Sequence, residues 1–397
     1  MNFLLKIFIV PARYVLRTVS LIYLRFRILT AKIKNIFYPA KIKQILWQKD
    51  LVSENICIFH IYSRKLPENT FIYLKTLADH GIDLIVTNSA SLDDESKLVL
   101  QNYVKIYMEI ENRGMDFAGY KFGHQILTQS VDTLKVQKLI FCNDSVLVEP
   151  TRLNSFVKNI LASHDDYSSA ESAYDYYYHV CSWFFCVSNK VMNSNFFKKF
   201  WADFQPYHLR QWNIIKGECG ITHTLINNHI YPTLIYNPIF MSKNIDYKDS
   251  DILLFNLPTA RKCADKSLKT LELEDKFSID DENDEASFFP EKFFIDRVEE
   301  LLKKNKEFYK QFLVEIYSFH WHRCNLHLFY KTDFPFIKKD LFYKKIYTLA
   351  QLINFFDLDH IKNLHINHFY YELIKKKPSA KLKIIHKVRS FLDISPL

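Results

Sequence analysis

The chain has 397 residues, of which 48% are hydrophobic and 24% are charged, so it can bury a substantial core in one large domain or two ordinary ones. Its net charge of +9 is concentrated at the start, because residues 1–49 carry ten Lys or Arg and no acidic residue and the other 348 residues have a net charge of −1. This distribution argues against a nucleic-acid-binding protein, whose positive charge should line a groove of the folded domain. The seven cysteines are scattered, which indicates reduced thiols in a cytosolic protein and not a disulfide framework.

Residues 1–49 alternate apolar clusters with single basic residues. No uninterrupted run reaches the ~18 apolar residues of a membrane-spanning helix. The pattern predicts a basic amphipathic segment that lies on an anionic membrane surface. The alternative is a helix packed on the folded domain with its basic side in solvent.

From residue 50 onward, short apolar strands alternate with helical segments. Strands are predicted at 56–62, 82–89, 103–110 and 138–142, and helices at 67–81, 92–102 and 118–127. This order predicts an α/β fold with a mostly parallel sheet flanked by helices, in which ligands bind beyond the carboxyl ends of the strands. Polar residues are found at these ends, namely His60, Tyr62, Thr87, Asn88, Asn112, Arg113, Asn143, Asp144 and Ser145.

The later elements divide the rest of the chain. A helix is predicted at 152–163, a strand at 180–189, a helix at 191–204 and a strand at 231–237, so the α/β domain is predicted to span residues 50–245. Residues 246–290 are predicted to be an acidic loop or linker, because 272–285 contain eight acidic residues and one lysine. Residues 291–397 are predicted to be a mainly helical C-terminal region with a basic tail.

Two features of side-chain type stand out along the chain. Three of its six glycines lie between Gly114 and Gly123 and two in the GECG motif at 217–220, which indicates sharp turns or close backbone approaches there. His320, Cys324 and His327 would share one face of a helix, where they could bind zinc or form a buried stripe.

Five motifs occur in a fixed order: ENRGMDFAGYK, LIFCNDSVL, HVCSWFFCVSN, GECGITHTLINN and FPFIKKDLF. Together they resemble the rhamnan synthesis protein F family, which are polysaccharide glycosyltransferases of bacteria with a GT-A-like (Rossmann-like) fold. The resemblance covers roughly residues 55–240 and 320–342. Each motif alone is weak, but the order of the five is fairly specific.

The resemblance implies transfer of a sugar, such as rhamnose, from dTDP-rhamnose or a UDP- or GDP-sugar to a cell-surface polysaccharide or lipid-linked glycan, with inversion, at the cytoplasmic face of the bacterial membrane. Such a reaction needs a grip on the nucleotide, neutralisation of the diphosphate and a general base. The residues expected to bind the donor are His60, Tyr62, Asn112, Arg113, Gly114, Asp116, Asn143, Asp144 and Ser145. Glu218 is the expected base and Asp144 a further catalytic residue, while Ser182, Trp183 and His223 are expected to contact the acceptor. The resemblance also puts Pro335 and Lys338 at the border of the active site.

The metal motif of such enzymes is incomplete here. Asn143 and Ser145 stand where two carboxylates are usual, which leaves Asp144 between them. Mg²⁺ or Mn²⁺ could bind through Asp144, Asn143 and substrate phosphates, or the reaction could be metal-independent and use Arg113 or lysines instead.

Simpler interpretations stay open for each motif. The Asn143–Ser145 triplet could be a turn that closes a strand, Glu218 could serve only the helix dipole, and the Ser182–Trp183 region could be core. The alternative function is a non-catalytic sugar- or nucleotide-binding component of a polysaccharide synthesis complex.

Overall fold

A computed structural model of the protein describes residues 2–173, 177–236 and 332–343. The predicted acidic segment 246–290, most of the predicted region 291–397 and the His320, Cys324 and His327 group lie outside the described residues.

The described strands and helices follow the predicted alternation. The strands are β1 (Ile42–Gln48), β2 (Asn55–Ile61), β3 (Asp83–Asn88), β4 (Ile106–Ile110), β5 (Lys138–Asn143), β6 (Val146–Val148), β7 (Tyr167–Ser169), β8 (Ser172–Ala173), β9 (His179–Val180), β10 (Phe184–Ser188), β11 (Thr233–Leu234) and β12 (Phe336–Lys338). The helices are α1 (Asn2–Phe37), α2 (Glu68–Asp79), α3 (Asp94–Gln101), α4 (Met115–Ser130), α5 (Pro150–Ala162), α6 (Asn189–Met192), α7 (Asn195–Asp203), α8 (Arg210–Trp212), α9 (Cys219–Ile226) and α10 (Asp340–Tyr343). Short 3₁₀ and π-helical turns cover Thr133–Lys135 and Asn213–Glu218.

Among the described strands, eight form the main sheet, in the order β1-β4-β3-β2-β5-β10-β7-β11. Its centre, β4-β3-β2-β5, is parallel. The strands β1 and β10 join this centre antiparallel, and β7 pairs antiparallel with β10 and parallel with β11. The predicted α/β class with a mostly parallel sheet flanked by helices is therefore confirmed.

Both faces of the parallel centre are covered, as its nearly continuous apolar strands require. Cys57, Phe59 and Ile61 of β2 belong to the hydrophobic core beneath α2 and α5. The alternate residues Ile56 and Ile58 belong to the core beneath α4, α7 and α9. Because both faces of the sheet are apolar, the polar side chains lie at the ends of the strands.

Three predicted boundaries were wrong. The segment 42–48, which the sequence grouped with the N-terminal amphipathic segment, is the edge strand β1, where Trp47 stacks on Tyr107 at 4.8 Å. The single helix predicted at 191–204 is two helices. The first ends at Met192, and Ser194 caps the start of the second, where its Oγ accepts a hydrogen bond from Phe197 N. The strand predicted at 231–237 is limited to β11.

The start of α4 is fixed by Gly114, which has a φ of +91°. A side chain would be strained in this left-handed conformation. It would also have no room, since a Cβ at this position would lie 2.3 Å from Cβ of Pro206. The predicted glycine turn is present, and the helix after it is longer than the predicted 118–127.

None of the described helices is both long and apolar enough to cross a lipid bilayer.

Candidate functional site

The candidate site lies at the carboxyl ends of β2 and β5, which the parallel pairing brings side by side with His60 opposite Asn143. Asp144 joins the two ends. Its backbone N–H donates to the carbonyl of His60 (3.2 Å), and its Oδ2 accepts from the backbone N–H of Tyr62 (3.3 Å). This is the edge at which an open α/β sheet binds ligands.

Asp116, in the first turn of α4, is the centre of the site. Its Oδ2 accepts hydrogen bonds from Asn143 Nδ2 (3.0 Å) and from Ser182 Oγ (3.1 Å). Ser182 is held in turn, because its carbonyl accepts from the buried Tyr120 hydroxyl at 2.8 Å. Three predicted motifs, separated by tens of residues in the sequence, therefore meet at one carboxylate.

The environment of Asp116 favours its neutral form more than water does. Burial raises the pKa of Asp116 to about 6, the charge of Glu218 raises it as well, and the charge of Lys338 opposes them. A carboxyl group with this pKa can both accept and, near pH 6, donate a hydrogen bond.

Glu218, on the π-helical turn before α9, is near enough to Asp116 for its charge to raise the pKa of that carboxyl group. The turn packs closely on α4, since a Cβ at Gly217 would come within 2.8 Å of the Phe117 ring. Gly217 and Phe117 are the chain neighbours of Glu218 and Asp116. The close packing therefore explains why the two carboxyl groups influence each other.

The partner of Glu218 is His179, a residue that was not among the predicted site residues. His179 is buried and its Nε2 lies 3.4 Å from Glu218 Oε2, while its Nδ1 lies 2.8 Å from the carbonyl of Tyr177 and 3.5 Å from Cys219 Sγ. Burial alone would lower the pKa of His179, but its contacts with Cys219 and with the Glu218 carboxylate raise the pKa above its ordinary value. The available signal was its place at the start of the HVCSWFF motif.

Lys338 enters the site from the far end of the chain. The strand β12 pairs antiparallel with β6, which follows the Asn143–Ser145 triplet, and Lys338 lies opposite Val146. Its Nζ donates to Ser145 Oγ at 2.6 Å and lies 5.7 Å from the centre of the Trp183 ring. Lys338 is thus next to the triplet, whereas Pro335 lies at the other end of β6, where its carbonyl accepts from the backbone N–H of Glu149.

The triplet is largely occupied by its own hydrogen bonds. Asn143 Oδ1 accepts from Ser145 N (3.0 Å) and Ser145 Oγ (2.5 Å), which is an Asx turn. Within the described residues, no group of three His, Cys, Asp or Glu side chains is arranged to hold a metal ion. Of the three side chains in the triplet, only the Asp144 carboxylate is left to bind a metal ion. The triplet therefore does not fit a divalent ion held by the Asn143 and Ser145 oxygens.

The remaining predicted residues have other contacts. The buried His60 bonds to Thr87 Oγ1 (2.9 Å) and Ser89 Oγ (3.3 Å), and burial lowers its pKa to about 3. The Arg113 guanidinium lies over the Tyr38 ring at 5.2 Å. His223 Nε2 lies 3.1 Å from the carbonyl of Tyr178, Trp183 is buried, and Tyr62 and Asn112 are exposed. The described contacts do not bring Arg113 or His223 to Asp116.

A second buried carboxylate lies further along the same edge of the sheet. Glu109 of β4 is only 2% exposed and accepts from Ser91 Oγ (2.6 Å), Gln44 Nε2 (3.0 Å) and the Tyr107 hydroxyl (3.4 Å). Glu109 was not among the predicted site residues, although an acidic residue within the apolar run YMEI was a signal.

No protein-family model matches the chain. It is 25% identical over 171 residues to a protein of Sinorhizobium fredii (strain NBRC 101917 / NGR234) described as "Uncharacterized protein y4gN", a match that covers 42% of this chain and 44% of that protein. The chain is therefore matched to less than half of the length of this relative.

Two solved structures are similar in part. One is a glycosyltransferase involved in the glycosylation of the major capsid of PBCV-1, with 14% identity, a TM-score of 0.28, and coverage of 46% of this chain and 82% of that chain. The other is 4-diphosphocytidyl-2C-methyl-D-erythritol synthase from Anaerococcus prevotii DSM 20548, with 9% identity, a TM-score of 0.26, and coverage of 46% and 87%. At these TM-scores neither likeness carries an argument about function, and the fold class rests on the strand order given above.

Proposed function

We propose that the protein is a glycosyltransferase that moves a sugar from a nucleotide-sugar donor to a cell-surface polysaccharide or a lipid-linked glycan. The observation that carries this proposal is the convergence of Asp116, Asn143, Ser182 and Glu218 at one edge of the parallel sheet. The resemblance to the rhamnan synthesis protein F family supports the same activity. It makes dTDP-rhamnose the first donor to test, followed by UDP- and GDP-sugars.

In the proposed reaction, Asp116 and Asn143 bind the ribose or base of the donor. Asn143 Nδ2 and Ser182 Oγ both donate to Asp116 Oδ2, so the carboxylate is held in one orientation before the donor binds. Asp144 is hydrogen-bonded to His60 and Tyr62 at the carboxyl end of β2, which places it beside the proposed donor site.

Glu218 is proposed to act as the general base. It takes the proton of an acceptor hydroxyl while that oxygen bonds to the anomeric carbon of the sugar. The bond from the anomeric carbon to the diphosphate breaks at the same time, and the diphosphate leaves with the electron pair. A single displacement of this kind inverts the anomeric centre.

The proposed site of action is the cytoplasmic face of the bacterial membrane. Two stripes of α1 support this. Leu24, Ile28, Ala31 and Asn35 recur along one side and are half-buried in the protein. The opposite stripe is apolar yet 48–71% exposed, and consists of Ile22, Phe26, Leu29, Ile33 and Phe37.

An exposed apolar stripe of this length is unusual for a helix packed on a soluble domain. The basic residues Arg25, Arg27, Lys32 and Lys34 belong to the same part of the helix, and residues 1–49 contain no acidic residue. An apolar face combined with positive charge suits the headgroup region of an anionic bilayer.

The test separates donor binding from turnover. Thermal shifts with dTDP-, UDP- and GDP-sugars identify the donor class, and transfer is then measured for Glu218→Gln and Asp116→Ala. We expect Glu218→Gln to bind the donor normally and to transfer about 10²- to 10⁴-fold more slowly. We expect Asp116→Ala to lose donor binding. Donor binding without any transfer, insensitive to Glu218→Gln, would instead identify a non-catalytic binding component.

A further inference from the structure

We propose that Lys338 binds the diphosphate of the donor and neutralises the leaving group in place of a divalent cation, a proposal that rests on the proposed function. The side chains in contact at Asp116 supply a carboxylate, an amide and a hydroxyl, but a departing nucleoside diphosphate needs positive charge. Lys338 provides it at the same edge of the sheet.

The position of Lys338 is set by backbone pairing and not by a flexible tail. Phe336, Ile337 and Lys338 are paired with Val148, Leu147 and Val146 in register, and Phe336 and Ile337 are fully buried. The backbone N–H of Lys339 adds a bond to the carbonyl of Ser145 at 3.0 Å. The backbone of Lys338 is therefore fixed beside the triplet.

The ammonium group itself faces the polar end of β5. Its Nζ donates to Ser145 Oγ at 2.6 Å, lies 5.7 Å from the centre of the Trp183 ring and exerts its charge on Asp116. A cation 2.6 Å from the Ser145 hydroxyl repels a divalent ion from that oxygen.

The hydrogen bonds of Asn143 also favour Lys338 over a metal ion at this site. Asn143 Oδ1 is used by Ser145, and Asn143 Nδ2 by Asp116, so the amide has no oxygen to offer a metal ion. An ammonium group binds phosphate oxygens as a compact point charge with three donors. Lys338 can thus exchange its bond with Ser145 Oγ for one to the diphosphate when the donor binds.

The experiment compares Lys338→Met with wild type. Calorimetry measures the affinity for the nucleoside diphosphate of the identified donor and for the corresponding free nucleoside. We expect Lys338→Met to weaken diphosphate binding at least tenfold and to leave nucleoside binding unchanged. Lys199→Met, which removes a lysine with a 76% exposed side chain, is the matched control and should change neither affinity.

Turnover supplies a second readout, first in the wild type and then in two variants. We expect wild-type transfer to continue in EDTA, with no gain from Mn²⁺ or Mg²⁺. Lys338→Met should lower kcat about 10²- to 10³-fold, as loss of one charge-stabilising group does, and Lys338→Arg should retain most of it.

Two results would overturn the proposal. One is an unchanged ratio of diphosphate to nucleoside affinity in Lys338→Met, and the other is wild-type transfer that stops in EDTA and returns with Mn²⁺. Either leaves the glycosyltransferase function intact. If wild type binds no nucleoside diphosphate at all, the proposed function fails together with the role of Lys338.

Discussion

Glu218 and the buried His179 form a close pair, with 3.4 Å between Oε2 and Nε2. The Nδ1 of His179 lies 2.8 Å from the carbonyl of Tyr177, so this nitrogen carries a proton that it donates. A second proton on Nε2, which the raised pKa of His179 favours, makes the ring a cation facing the carboxylate. A positive charge inside the protein therefore faces the proposed base.

The substitution His179→Gln tests this pair. Glutamine removes the positive charge and the 3.4 Å contact with Glu218, so we expect kcat/KM at pH 7 to fall about tenfold or more. His208→Gln, at an exposed histidine, should leave kcat/KM unchanged. An unchanged kcat/KM in the folded His179→Gln variant would contradict a role of His179 in positioning the proposed base.

The substitution Asp116→Asn should stabilise the protein while it impairs donor binding. The pKa of Asp116 is raised to about 6 by burial and by Glu218, against the charge of Lys338. Because the folded state prefers the protonated form, this contribution to stability is fully present below the unfolded pKa of ~3.9 and is lost as the pH rises through about 6. Asparagine is neutral throughout.

We therefore expect Asp116→Asn to raise the free energy of unfolding by on the order of 1–3 kcal/mol at pH 8, with little change at pH 4. Urea unfolding at the two pH values measures this difference. Destabilisation at pH 8 would contradict the raised pKa of Asp116 in the folded protein.

The exposed stripe of α1 predicts binding to anionic vesicles. The double substitution Phe26→Glu and Ile33→Glu removes apolar area and adds negative charge, so we expect the fraction that floats with phosphatidylglycerol vesicles to fall at least tenfold. The matched control is Val52→Glu with Leu134→Glu, which changes two side chains that are 77% and 72% exposed outside α1.

Wild-type flotation should also weaken as salt increases and be low with neutral phosphatidylcholine vesicles. If wild type fails to float but forms dimers that the α1 substitutions dissolve, the stripe binds a second copy of the chain. If it neither floats nor dimerises, another segment of the chain covers the stripe, and the membrane proposal is wrong.

Gly114→Ala should be much more destabilising than Gly81→Ala. Both glycines have positive φ angles, +91° and +73°, so each substitution has a strain cost of about 1–2 kcal/mol. A Cβ at Gly81 meets nothing within 4 Å, whereas one at Gly114 would lie 2.3 Å from Pro206 Cβ. We expect an additional ~1–3 kcal/mol for this overlap, measured as the difference between the two variants in urea unfolding. Equal costs would show that the turn yields easily.

The parallel centre of the fold could be predicted because its strands are buried on both faces and read as apolar runs. Edge strand β1 could not, since its mixture of isoleucine with lysine and glutamine, IKQILWQ, fits a helix equally well, and only pairing with β4 decides between them. The break before the second helix depends on a hydrogen bond to the capping side chain of Ser194. Serine is also tolerated inside helices, so the sequence alone did not indicate this break.

The site residues that belong to sequence motifs could be predicted, but the contacts that form only on folding could not. Asp116, Asn143 and Ser182 were expected and are in contact. Arg113 was expected to reach a phosphate, but its guanidinium lies on Tyr38. His179 was not predicted although it begins the HVCSWFF motif, because its pairing with Glu218 is a contact that forms only in the folded chain.

The pairing of β12 with β6 has a consequence for synthesis of the protein. All eight strands of the main sheet lie between Ile42 and Leu234, but Ser145 and Lys338 are 193 residues apart. At about 5–20 residues per second, the ribosome makes Lys338 about ten to forty seconds after Ser145. A nascent or proteolytically clipped chain that ends between residues 235 and 337 therefore contains every described strand of the main sheet and lacks Lys338. Under the proposed role of Lys338, we expect such a chain to bind a nucleoside and not to transfer a sugar.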